Sequence, residues 1–334
     1  MQEFSMLDSS RQRPQNLFGL RTFLALFCGV AFVVRATTGA VVIREDGGKL
    51  RVELNGALFT EYHYKEVARP YLYPIIGPGG ASMTRDWPMK DTGKDATDHP
   101  HHKGLWFTHG DVNGVDFWSE VKKFGRIVHE KFLKSGPDTI SSRNNWVAAD
   151  GTTVCSDERT LRFYAPTDVK MLDYEITLIA SQGDVTFGDT KEGSMAIRVA
   201  ETMRVVKPIV KGQKKAEPGE GHIVNSEGVR DKDAWGKRAA WVDYYGPVDG
   251  RIVGIAMFDH PQNPRHPTWW HVRDYGLFAA NPFGIHHFEK KPTGAGALKI
   301  EAGKSVTFRY RFVFHEGNEQ QARIAERYRE FAKT

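Results

Sequence analysis

Nine of the thirteen histidines fall in two windows, His99–His109 and His260–His287. Imidazole titrates near pH 6.5, so grouped imidazoles suit proton transfer or metal ligation, whereas core histidines scatter along a chain. The first window reads Asp98-His99-Pro100-His101-His102-Lys103-Gly104-Leu105-Trp106. Its start is a loop, and Gly104 to His109 reads as a strand entering a core. In extended backbone His99 and His101 share a face and His102 lies opposite. The HExxH spacing and the paired cysteines of common zinc sites are absent, so acid–base work by His99, His101 or His102 is the primary expectation. A divalent metal held by His99, His101 and His102 or His271 is one alternative, and solvated loop histidines are another. Trp106 and Trp118 are plates suited to stacking on a sugar ring, or to ordinary core packing.

Two further segments carry suitable chemistry. Asp189-Thr190-Lys191-Glu192-Gly193 follows a strand and places Asp189, Lys191 and Glu192 at its boundary. The stretch from Asp259 to Gly284 holds Arg265, His266, Trp270, His271, Arg273 and Asn281, with three prolines stiffening its start. Rigidity lowers the entropic cost of presenting such heads to a ligand. Arginine, asparagine and histidine beside tryptophan suit a hydroxylated or carboxylated sugar. No Walker P-loop, GxSxG elbow or dinucleotide GxGxxG is present.

These groups must be positioned by strands. Short β-branched or aromatic runs recur at 40–44, 49–53, 58–64, 125–134, 144–149, 155–164, 171–181, 195–206, 239–244, 251–259 and 305–315. They are punctuated by hairpin chemistry such as Asp46-Gly47-Gly48 and Asn55-Gly56. The spacing predicts an all-β, mostly antiparallel sandwich over residues 41–317, with long loops at 77–98, 207–221 and 261–271. A C-terminal helix over 318–334 is expected, with Asn318 as cap and Gln321 three residues later. Composition is that of a soluble globular chain: 40% hydrophobic, 26% charged, and a net charge of +5 from 46 basic and 41 acidic residues. That charge is diffuse, which argues against a nucleic-acid partner.

Arg11, Arg13 and Arg21 precede an apolar run of twelve, Phe23 to Val34, and small residues follow at 36–40. This is the grammar of a secretory signal peptide over residues 1–36, with cleavage as late as 40. Twelve residues rise about 18 Å as a helix, short of the roughly 30 Å hydrocarbon core. The mature chain is therefore expected to be exported, to lack a membrane span, and to hold a single cysteine, Cys155, in a strand.

Residues 74–78, 98–106, 189–193 and 259–284 together resemble a bacterial family labelled PmoA or "methane oxygenase PmoA". The resemblance carries kinship and not methane oxidation, because true monooxygenase subunits of that name are multi-helix membrane proteins. More remotely, the order of parts is similar to galactose-mutarotase-like supersandwiches. That resemblance implies a histidine acid and a glutamate base at a sugar's anomeric centre, with His99, His101, His102 or His271 as acid and Glu192 or Glu289 as base. The joint expectation is an exported hydrolase, lyase or epimerase acting on a small sugar or oligosaccharide. Trp106, Asp189, Lys191, Arg265, His266, Trp270, Arg273 and Asn281 would bind substrate. A metal-dependent enzyme and a non-catalytic carbohydrate-binding protein are the alternatives.

Overall fold

A computed structural model describes residues 40–133, 136–166, 168–209 and 213–334. The leader predicted for residues 1–36 lies outside the described residues, and so does Cys28. From Thr38 onward the chain clusters as one compact unit.

In chain order the first strands are β1 (Val41–Asp46), β2 (Lys49–Leu54), β3 (Ala57–His63), β4 (Tyr71–Ile75), β5 (Leu105–His109) and β6 (Arg126–Phe132). Then come β7 (Thr139–Val147), β8 (Thr153–Tyr164), β9 (Lys170–Ile179), β10 (Val185–Phe187), β11 (Gly193–Arg198) and β12 (His222–Asn225). The last are β13 (Trp241–Val248), β14 (Arg251–Asp259), β15 (Trp269–Val272), β16 (Leu277–Asn281), β17 (Leu298–Ile300) and β18 (Ser305–Glu316). Two helices, α1 (Ile285–Glu289) and α2 (Ile324–Phe331), complete the set.

Two eight-stranded sheets dominate. One runs β1-β2-β3-β4-β5-β11-β16-β15 and the other β12-β13-β14-β18-β9-β8-β7-β6, while β10 pairs β17 apart. The pairings are antiparallel, as hairpin connections require. The molecule is a large antiparallel β-sandwich. Alternate residues face inward: Phe107, Met195, Ile197 and Phe278 from the first sheet meet Ile176, Ile255, Phe308 and Phe312 from the second. Buried between the sheets, Asp157 takes a two-pronged ion pair from Arg159 at 2.8 and 2.9 Å, with Trp146 Nε1 and Asn144 Nδ2 donating to it at 2.7 Å.

The first sheet also has a covered outer face. Tyr71, Trp106, Ala196, Leu277 and Ala279 form a second apolar cluster there with Trp118, against which Met89 and Tyr275 pack. Each tryptophan buried in this way is worth up to about 5 kcal/mol by area, which holds the long 76–104 connection against the sheet. Gly104 is where that connection joins β5. Its φ is +58°, and a Cβ would stand 2.0 Å from the Leu72 carbonyl oxygen, so no other residue fits.

Helix α2 covers the outer face of the second sheet through Ile324 and Phe331. Asn318 and Gln321 do exchange the reciprocal hydrogen bonds of a capping box. The helix nevertheless begins at Ile324, because Arg323 sits in the left-handed region at φ 53°. The expected loop 261–271 ends earlier than the sequence suggested, since Trp269 to His271 belong to β15. Among the described residues no helix is long and apolar enough to cross a membrane.

Candidate functional site

The outer face of the first sheet brings the two histidine windows together. At its centre, the Asp98 carboxylate serves two buried guanidiniums: Arg85 Nη1 at 2.6 Å and Arg198 Nη2 at 3.1 Å. It also accepts from His99 Nδ1 at 2.7 Å. Burial works against the Asp98 charge, but the His99 hydrogen bond and the two arginines outweigh it and hold the carboxyl well below the usual range. A carboxylate can only accept, so His99 donates from Nδ1, and the lone pair of the neutral ring is then on Nε2. The imidazole is 40% exposed, enough for that lone pair to meet a ligand.

His99 is sandwiched. Its ring stacks on His102 at 4.8 Å and on Tyr275 at 5.2 Å, with interplanar angles of 8° and 6°. Tyr275 is the residue through which the later window reaches the earlier one. The guanidiniums of Arg198 and Arg273 lie 5.1 and 5.2 Å from its ring centre. His102 in turn covers Trp106 at 5.4 Å. Burial, reinforced by neighbouring positive charge, drives His102 well below 6.5 and His101 to about 3, so both are neutral.

His271 and Arg273 are two apart on extended backbone and share the outer face. Trp235 Nε1 donates to His271 Nδ1 at 2.8 Å. An indole N–H only donates, so the His271 proton resides on Nε2, which has no partner among the described residues. Burial depresses His271 far below its ordinary value, and the charges of Arg273, Lys191, His287 and His99 add to the effect. Those contributions place Lys191 and His287 within electrostatic reach. Glu192 is ion-paired to Lys191 and perturbs Tyr275, which puts it on the same rim.

Several expectations are corrected. Trp270 is no stacking platform: it is fully buried in the inter-sheet core, its Nε1 tied to the Ala239 carbonyl at 2.9 Å. Trp106 is 1% exposed beneath His102 and offers no open face. Arg265 spends its guanidinium on the carbonyls of Pro282, Gly296 and Ala297 at 2.8, 2.5 and 2.9 Å. Asn281 bridges the Thr190 carbonyl and the Phe283 and Gly284 amides, and Asp189 accepts from the His286 and Gly296 amides. His266 is bound to Asp259 at 2.7 Å and sits near Tyr328 on α2. These side chains spend most of their hydrogen bonds on locking loops. For the metal alternative, among the described residues no group of three or more His, Cys, Asp or Glu is arranged to hold an ion.

Sequence reasoning missed Arg85, Arg198, Trp235 and Tyr275 as site residues. Arg198 had a signal, being a charged residue in a strand whose six residues are all buried. Beside the histidines, past Pro100, runs a groove of about 490 Å³ lined by Val67, Tyr71, Met89 and Phe124 and edged by Lys103 and Arg126.

The chain belongs to the family described as a family of unknown function, DUF6807, which matches residues 49–329. No curated protein matches it. Among solved structures it is similar to a putative aldose 1-epimerase from Escherichia coli K12, at 10% identity and a TM-score of 0.33, covering 84% of this chain and 100% of that one. A galactose mutarotase related enzyme from Lactobacillus acidophilus gives 8% and 0.28, with 83% and 97% covered. The GH36 alpha-galactosidase AgaB from Geobacillus stearothermophilus gives 11% and 0.38, and the chain spans 83% of itself and 41% of that larger protein.

Proposed function

We propose that this DUF6807 member is a carbohydrate-active protein whose cleft lies on the outer face of the first sheet, with His99 as general base. The observation that carries this reading is the Asp98–His99 pair. A carboxylate anchored by two buried arginines fixes the imidazole tautomer and leaves Nε2 free on a partly exposed ring. His271 Nε2–H supplies a neutral donor to a substrate oxygen, and the half-buried Trp235 supplies aromatic surface for a pyranose ring. Proton abstraction at a sugar carbon, as in epimerisation or elimination, is the chemistry this arrangement supports best. The proposal keeps the export expected from the leader and the kinship with the PmoA-labelled family.

The test is a product screen by NMR over neutral glycosides, uronides and free sugars, run beside His99→Gln. Turnover that disappears in His99→Gln, with the unfolding midpoint unchanged, is the expected result. Sugar binding without product from any substrate would replace the enzyme reading with that of a carbohydrate-binding protein. Absence of both would remove carbohydrate altogether.

A further inference from the structure

Within the cleft, Arg273 is the cation without an anion. Its guanidinium forms no ion pair and no hydrogen bond among the described residues, whereas Arg85, Arg198 and Arg204 all have carboxylate partners. Its guanidinium is held in place by aromatic rings alone, 5.9 Å from the Trp235 centre and 5.2 Å from that of Tyr275. It is half-buried. A rigid, partly desolvated and unmatched guanidinium fork is a poor arrangement for stability and a good one for a planar carboxylate. A further donor within electrostatic reach is His271 Nε2–H, two residues earlier in β15, which has no partner among the described residues.

From this juxtaposition we infer that the cleft takes an acidic sugar, a uronate whose carboxylate is received by Arg273 with His271 Nε2–H beside it. The inference rests on the reading of the cleft as a sugar site and narrows its substrate class. A singly charged, planar group fits better than phosphate. One guanidinium and one neutral N–H balance the one negative charge of a carboxylate, and the planar fork matches its two oxygens. The aromatic sides of the site match the ring that carries the carboxylate. Binding also has an electrical consequence: an anion beside Arg273 cancels one of the charges that depress His271, so its proton affinity rises in the complex.

Calorimetric titration of the full chain with D-galacturonate, its methyl ester, D-galactose and trigalacturonate tests this directly. The free acid is expected to bind about tenfold to a hundredfold more tightly than the ester, the range for a charge-assisted contact. Arg273→Gln should abolish the difference between acid and ester while leaving the ester's own affinity in place, and Arg273→Lys should restore part of it. A preference for the trisaccharide over the monosaccharide would assign the carboxylate to a chain residue rather than a free sugar. The His271 ring resonances should titrate at higher pH in the acid complex than in the ester complex. Equal affinity for acid and ester, or a preference that survives Arg273→Gln, overturns the inference and leaves a neutral-sugar site standing. No binding of any of the four overturns the inference and the sugar reading together.

Discussion

The cleft around His99 and the loop junction around Arg265 are built from the same kinds of side chain: arginine, histidine, a carboxylate and a neighbouring tryptophan. They differ in how those groups are satisfied. At the junction, Arg265, Asn281 and Asp189 each make two or three hydrogen bonds to backbone, closing the turns between β16, α1 and β17. Around His99, two guanidiniums and an imidazole share the single Asp98 carboxylate, and among the described residues the Arg273 guanidinium has no anion and His271 Nε2 no partner. Residue type therefore does not distinguish a scaffold from a site. What distinguishes them is whether the polar groups have spent their hydrogen bonds.

The largest consequence is acid lability of the cleft. His102 and His271 are buried and neutral, and His109 between the sheets is lowered by burial to about 4. The unfolded chain takes up these protons below about pH 6.5 and the folded one does not, so stability is full above that pH and falls as pH drops toward the folded values. Each group contributes up to about 1.4 kcal/mol per pH unit in that window. His315 opposes the trend. Burial disfavours its charge, but the Asp243 carboxylate at 2.9 Å outweighs this and raises it, giving stability present below pH 6.5 and lost as pH rises through its folded value. His63, His101, His129, His260 and His287 are lowered by burial as well, so the lowered groups outnumber the single raised one and predict a net fall. Urea unfolding at pH 7, 6 and 5 checks this, and replacing His102 and His271 by Asn should flatten the slope. An unchanged or rising stability would mean that these imidazoles are charged in the fold.

Next in size is the cost of breaking the junction. Asn281→Ala strands two amides and a carbonyl, and Arg265→Met strands three carbonyls. Each should cost about 2–4 kcal/mol in unfolding free energy. Neither should change ligand affinity in the molecules that remain folded, which separates scaffold from site. His99→Gln should do the reverse: turnover falls about a hundredfold, and stability moves by less than about 0.5 kcal/mol because the ring is 40% exposed. Should His99→Gln unfold the protein, or Asn281→Ala selectively abolish binding, the two regions would exchange roles.

The sandwich was legible where one face of a strand is buried and the other is not. β2, β3, β8, β9 and β18 alternate and end in turn residues, and their positions could be read to within two residues, whereas the run expected at 144–149 begins five residues earlier as β7. β15 and β16 could not be read in this way, because all their residues are buried: the core lies on one side and the covered outer face on the other. β4 was obscured by Pro74, and its neighbour in the sheet, β5, comes some thirty residues later. In the site, the first histidine loop was visible from its density. Arg198 and Trp235 were not, since each is a single residue whose partner lies far away in the chain, and Arg85 was not, since it reaches Asp98 only across a loop of no regular spacing. Asn281, Asp189 and Arg265 were overread for the same reason: the carbonyls and amides they bind have no signature in the sequence.

The central claim is that the open chemistry lies at His99, His271 and Arg273 and not at the prolines and arginine of the junction. Histidine-ring NMR of the labelled protein, recorded as D-galacturonate is added, addresses it most directly. The account predicts that the His99, His102 and His271 resonances shift with a common saturation curve while those of His266 and His315 stay still. Movement of His266 with His271 and His99 unchanged would contradict it.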